Sequence, residues 1–303
     1  MATTAVQRFV GTRFRRIITG DPSGTPPWLA EIEMGDDLGL FEPTDAPWVV
    51  HANLATLIGG VRALLMQTLH PGSLAGVAQH SRYEEDAIGR LAGTTRWLTI
   101  TTFGSQAAIA IEAQRVNRMH DRVRGTATIA GEVRKYSARD EDLLRWVHMA
   151  FTESFLVAHE TYADVAIPGG ADEYVRQWSK SVVPLGLENV PMTRAELEAE
   201  IERLYETGVL SVSDKTFAVV KFLRKPPLSF TARLGYSFLF AAAVVTMPAH
   251  FQEMLKLPRY SRRLIRVVGR GFLRLLGLAI GAHSPIEEAA LARRERLLEL
   301  KSA

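Results

Sequence analysis

From Trp48 to Leu69 apolar residues recur at helical spacing, and His70-Pro71-Gly72 closes the run because proline disfavours helical geometry in the residue before it. A short helix is expected next, reaching His80. Ser81 to Asp86 is polar. The apolar pattern resumes from Arg90 to Phe103, and Gly104-Ser105 reads as a stop followed by an N-cap. The next helix is predicted over Gln106 to about Val123, with Ile109, Ala113, Val116, His120 and Val123 three or four apart on one apolar face. Gly125 offers its stop. Thr126 to Tyr136 has strand or turn chemistry, and Ser137 to Asp142 reads as a cap with acidic residues opening a long helix to about Tyr162. Further helices are predicted at about 171–180, 194–206, 214–223, 229–247 and 284–301, so the fold class is all-α with few strands.

Two segments break this pattern. Residues 20–47 are rich in Gly, Pro and Asp, a composition that punctuates regular structure and predicts a linker or wrapping loop. Leu257 to Gly277 mixes Arg259, Arg262, Arg263, Arg266, Arg270 and Arg274 with aliphatic residues, as an amphipathic surface helix does. Such a helix is suited to peripheral contact with anionic lipid through 257–277; the alternative is an ordinary surface helix whose arginine stems cover apolar neighbours. The longest apolar run, Leu234 to Met247, has 14 residues against the roughly 20 that span a bilayer, and is read as a buried helix. No internal repeat is visible. The division expected is an N-terminal arm and wrapping loop over 1–44, then one helical domain over 45–303 that includes the C-terminal amphipathic helices.

Composition narrows the function classes. The chain of 303 residues is 47% hydrophobic and 23% charged, enough apolar surface for a sizeable core. There is no cysteine, which excludes disulfides, thiolate metal centres, iron–sulfur clusters and cysteine nucleophiles. A net charge of +3 is too small for the dense basic face of a nucleic-acid binder, so no nucleic-acid partner is expected. Met1 to Ile18 carries Arg8, Arg13, Arg15 and Arg16 without an uninterrupted apolar core and is not read as a secretory signal. The expected location is cytoplasmic or peripheral to a membrane.

Chemistry must then come from His, Asp, Glu, Arg or hydroxyls. The eight histidines are His51, His70, His80, His120, His148, His159, His250 and His283. Glu-x-x-His pairs on separate helices, which a di-iron bundle needs, are missing, as is the zincin His-Glu-x-x-His pattern after His159, where Ala163 replaces the second histidine. No nucleotide-binding glycine motif is present; Gly59-Gly60 within a helix is read as close packing. Periodicity alone leaves His120 as either a hydrogen-bonded core histidine or a ligand. A haem asks for an apolar slot, one neutral imidazole and polar groups on the opposite side. His120 among Val116, Met119 and Val123 meets the second demand, and Arg90 and Thr94, four residues apart on one helical face, meet the third. His148 and His159 share a helix face, and either supports such a site or ties its helix into the bundle. His70 is read as a helix-end contact.

The ordered set of Gly60 to Gln67, His70-Pro71, Gly89-Arg90-Leu91 with Thr94, Phe103-Gly104, Met119-His120 with Val123 and Gly125, Tyr136-Ser137-Ala138 and Trp146-Val147-His148 resembles the MpaB and rubber-oxygenase domain family over roughly 45–250. The resemblance implies a globin-like helical bundle with additional peripheral helices, holding haem b and its iron. It places the proximal ligand on His120 and the distal arginine and threonine on Arg90 and Thr94. Val116, Val123 and His148 are expected to line the cofactor. In the latex-clearing members it implies cleavage of isoprenoid double bonds with dioxygen. This sequence departs from those members at Gly93, where they carry a lysine, and Glu84 and Glu85 are more readily a solvated turn than their distal base. The partners expected are a small apolar substrate, isoprenoid or lipid-like, and dioxygen or peroxide. The competing class is a non-catalytic haem-binding sensor or carrier. Oligomeric state is left open.

Overall fold

The computed structural model describes residues 25–80, 87–280 and 284–302 with a few isolated positions before them; side chains at 77–80, 87–92 and 231 lie outside that description. In chain order the helices are α1 (Leu29–Glu33), α2 (Ala46–Ala52), α3 (Ala55–Gln67), α4 (Pro71–His80), α5 (Ala87–Phe103) and α6 (Gln106–His120). A hairpin of β1 (Arg124–Ile129) and β2 (Glu132–Ser137) follows, then α7 (Glu141–Tyr162), α8 (Gly170–Trp178) and a 3-10 segment (Ser179–Leu185). The rest is α9 (Arg194–Glu206), α10 (Asp214–Arg224), α11 (Phe230–Thr246), α12 (Ala249–Met254), α13 (Arg262–Ile280) and α14 (Pro285–Ser302). The predicted all-α class holds, the hairpin being the only sheet among the described residues.

The core is built around α3 and α7. From α3, Ile58, Val61, Leu65 and Met66 are buried; from α7, Trp146, Met149, Ala150, Phe155 and Leu156. The two helices approach closely at Gly59, where a Cβ would lie 2.6 Å from Phe155 Cδ1 and 3.2 Å from the Ser154 carbonyl oxygen. Gly60, read with it as close packing, is different: a Cβ there meets nothing within 4 Å. A buried ion pair joins the same helices, Arg62 Nη2 donating to Glu153 Oε1 at 2.7 Å and Nη1 to the other carboxylate oxygen and to Ser154 Oγ.

Several expected boundaries move for local reasons. The single helix predicted from Trp48 is two, α2 and α3, meeting at 93°. Asn53 causes the break: its backbone is extended and its Oδ1 accepts from the Ala55 amide at 2.9 Å, offering the chain a local bond that competes with helix. Pro71 opens α4 as well as closing α3, and His70 Nδ1 accepts from the Gly72 amide at 3.1 Å. Ser105 caps α6, its Oγ accepting from the Ala108 amide. That helix stops at His120 rather than Val123, because the chain turns into the hairpin and Val123 O accepts from the Ala138 amide at 2.9 Å. The hairpin pairs Arg124 with Ser137 and Ile129 with Glu132, and its two turn residues, Ala130 and Gly131, both have positive φ, as a two-residue primed turn demands.

The loop expected over 20–47 carries the short α1 and is fastened to the C-terminal helix. Trp28, Ile32 and Phe41 are buried. From α14, Arg293 Nη2 donates to Phe103 O at 2.9 Å and its Nη1 to Ile32 O, while Arg294 donates to Leu38 O and pairs with Glu42. The apolar run in α11 is buried only in its second half, from Phe240 to Val245. Among the described residues no single helix is long and apolar enough to cross a membrane; the bent pair α2 and α3 passes that test only when taken together.

Candidate functional site

The α5 and α6 helices are joined by the turn Gly104-Ser105 and by side-chain contacts. Arg96 Nε donates to Glu112 Oε2 at 2.8 Å, and Trp97 packs against the apolar cluster that contains Ala113 and Val116. Thr94 and Arg90 lie on α5 beyond Arg96, and Val116 and His120 lie on α6 beyond Glu112, each pair further from the turn than the ion pair that joins the two helices. Thr94 is partly buried, and the Arg90 side chain falls outside the described residues, as do Glu84, Glu85 and Asp86.

His120 occupies the last residue of α6 and is half-buried. Its Nδ1 is buried and has no hydrogen-bond partner. Burial and the nearby positive charge of Arg139 lower its pKa against a smaller opposing effect of Asp121. Arg139 and Asp121 face one another at 3.8 Å across the junction between helix and hairpin. Neither was singled out from the sequence; a charged pair flanking a helix end leaves no periodic trace.

The residues expected around His120 divide between two small apolar clusters. Val116 is buried with Ala113, Val182, Leu185 and Leu187, against Trp97, Leu144 and Val190. Val123 packs on Ala75, Tyr136 and Leu143 instead. Leu143 and Leu144 are neighbours on α7, so both clusters meet that helix. Met119, placed in the same wall by sequence, is 49% exposed and does not belong to it. One turn after Leu144, His148 is buried with its pKa pushed down to about 4 by desolvation, and its Nε2 lies 3.5 Å from Thr152 Oγ1. At Gly93 a Cβ would meet nothing within 4 Å, so a larger side chain is not excluded there by packing.

Two other histidines, His159 and His250, also have a buried ring nitrogen without a hydrogen-bond partner, Nδ1 and Nε2 respectively, but His159 and His51 are held by structural bonds. His159 Nε2 bonds Val165 O at 2.8 Å beyond the end of α7, so it serves the helix terminus rather than the region of His120. His51 lies between Thr102 Oγ1 at 2.8 Å and Tyr174 Oη at 3.0 Å, and burial lowers its pKa to about 3. His283 lies outside the described residues, as does the side chain of His80. Sequence reasoning assigned no role to Arg62 or Glu112. Glu112 is wholly buried between Arg96 and Arg115, whose arms reach it at 2.8 and 2.6 Å, and it sits two turns before His120 on α6. The signal for both was a charge in an otherwise apolar stretch of helix.

No curated protein and no solved structure matches the chain. The family model described as the catalytic domain of ER-bound oxygenase mpaB/B' and rubber oxygenase matches residues 48–279, a span that holds α3 to α12 entire together with every residue of the α5–α6 region described above. The chain therefore belongs to the MpaB and rubber-oxygenase catalytic-domain family.

Proposed function

We propose that this member of an oxygenase family is a haem b-dependent oxygenase acting on an apolar, isoprenoid or lipid-like substrate with dioxygen or peroxide, and that His120 is the axial ligand. The observation that carries the reading is the buried Nδ1 of His120, which no protein group satisfies, on a ring whose pKa burial lowers. A buried donor or acceptor left unpaired costs about 1–3 kcal/mol, and ligation that fixes the ring, with a hydrogen-bond partner on its other nitrogen, removes that cost. The donor set suits a haem: one imidazole is required of the protein, and Val116, Trp97 and Leu144 supply apolar wall beside it. Bound haem would supply the redox-active iron on which dioxygen chemistry depends.

The chain's own residues have separable tasks. Val116 and its apolar neighbours exclude water from the face of α6 that leads to His120. Thr94 on α5 offers a hydroxyl that donates or relays a proton. Arg90, one turn before it, carries a permanent charge suited to stabilising negative charge as it develops on oxygen. His148, held neutral, is positioned on α7 to line the site. The test is the visible absorption spectrum of protein purified from haem-supplemented cells, with His120→Ala alongside and far-ultraviolet circular dichroism as a control of folding. The expected result is a Soret band that is lost or shifted in the variant. Absence of the band in the unaltered protein refutes haem binding; a band unchanged in His120→Ala refutes the ligand. Product analysis with unsaturated isoprenoids and oxygen then tests the reaction.

A further inference from the structure

We infer that α13 is a membrane-docking element that lays an apolar ridge and an adjoining row of arginines onto an anionic bilayer. Around its axis the helix has three faces. Ile265, Gly269, Phe272, Leu273 and Leu276 turn towards the protein, with Gly269 against the Tyr162 ring and Phe272 against Phe238 at 5.1 Å. Arg262, Arg266, Arg270 and Arg274 fall on one flank at spacings of four, with Arg263 beside them. On the third face, between the buried face and the arginine flank, stand Leu264, Val267, Leu275 and Leu278, exposed by 61, 71, 69 and 71%.

The ridge continues onto a second helix. Phe238 and Gly235 of α11 both meet Phe272, while Tyr162 contacts Gly269 and donates to Ala242 O, so α11 and α13 run antiparallel. Phe230 and Leu234, exposed by 73 and 61%, therefore lie at the same end of the pair as Leu275 and Leu278. A helix of 19 residues gives this surface a length of about 28 Å.

Charge decides the occupant. No acidic residue occurs between 257 and 280. Arg270 and Arg274 are anchored to Thr161 O and Asp164, which fixes the helix on the protein. Among the described residues Arg262, Arg263 and Arg266 have no carboxylate partner and are exposed. Cations strung along the side of an apolar ridge match a plane of lipid phosphates over embedded acyl chains. A second copy seated on the same ridge would supply no carboxylate from its own 257–280 to these arginines, whereas lipid phosphates supply the missing negative charge.

The test is co-sedimentation of the full chain with vesicles of phosphatidylcholine alone or with roughly a third phosphatidylglycerol, at low and high salt. Binding is expected to the anionic vesicles and to weaken with salt. Removing three arginine charges (Arg262→Gln, Arg263→Gln, Arg266→Gln) should reduce it about a hundredfold at roughly fivefold per charge, while the corresponding lysine variants retain it. Leu264→Ser with Leu275→Ser and Leu278→Ser should abolish it without altering helix content, since none of these side chains is buried. Equal binding to neutral vesicles, or none to anionic ones, overturns the inference. So does a dimer in solution that the serine variant dissociates. Neither readout depends on haem.

Discussion

Replacing Arg62 by methionine tests whether the pair with Glu153 is held by charge pairing rather than by burial. Arg62 is fully buried in the middle of α3, and the Glu153 side chain retains only 11% exposure. The guanidinium reaches both carboxylate oxygens, Ser154 Oγ at 2.8 Å and Thr246 O at 3.5 Å. Arg62→Met leaves a carboxylate buried without its counter-ion, a change that costs about 3–5 kcal/mol. Glu153→Leu leaves the guanidinium in the same position and is expected to cost a similar amount. The double variant removes both charges, and with them the Arg62 Nε donor, which has no partner in the native protein. It should therefore lie within about 2 kcal/mol of the native stability, where additive singles would predict a loss of about 6–10. Urea unfolding followed by circular dichroism measures all four proteins of the cycle. Single losses below about 1 kcal/mol, or losses that simply add, would refute the reasoning.

The adjacent glycines of α3 should respond with opposite signs. Gly59→Ala drives a methyl into Phe155 and the α7 backbone and should cost about 1–3 kcal/mol, whereas Gly60→Ala enters open space and should gain about 0.5–1 kcal/mol from helix propensity, both read from urea midpoints. Acid should destabilise the fold well before carboxylates titrate. His148 and His70 are pushed by burial from 6.5 to about 4, and His51 to about 3, so near pH 6 the unfolded chain takes up protons that the native protein refuses. Stability is full above pH 6.5 and falls as pH drops from there to about 4, by roughly 1.4 kcal/mol per pH unit per ring, up to about 3 kcal/mol for His148; urea midpoints against pH should show this, with the slope lowered by about one proton in His148→Gln.

Much of this protein is determined by its sequence because helices announce themselves locally. The spacing of apolar residues placed α6, α7 and α9 to within a few residues, since a helix exposes its period at 3.6 residues wherever one face is buried. Ser105 and Gly104 marked the α5–α6 turn through capping chemistry that depends on adjacent residues alone. The break at Asn53 escaped because its side-chain bond to Ala55 competes with helix at one residue without disturbing the apolar pattern around it. Tertiary structure decided what no local pattern carries. Gly59 and Gly60 are identical in sequence terms, and only the approach of Phe155 to one of them separates their roles. His120 was picked out by its place among short motifs, but the buried, unpartnered state of its Nδ1 comes from the packing around it. The arginines of α13 were legible as a composition. That its leucines face outward was not, because which side of an amphipathic helix is buried is settled by the elements it packs against.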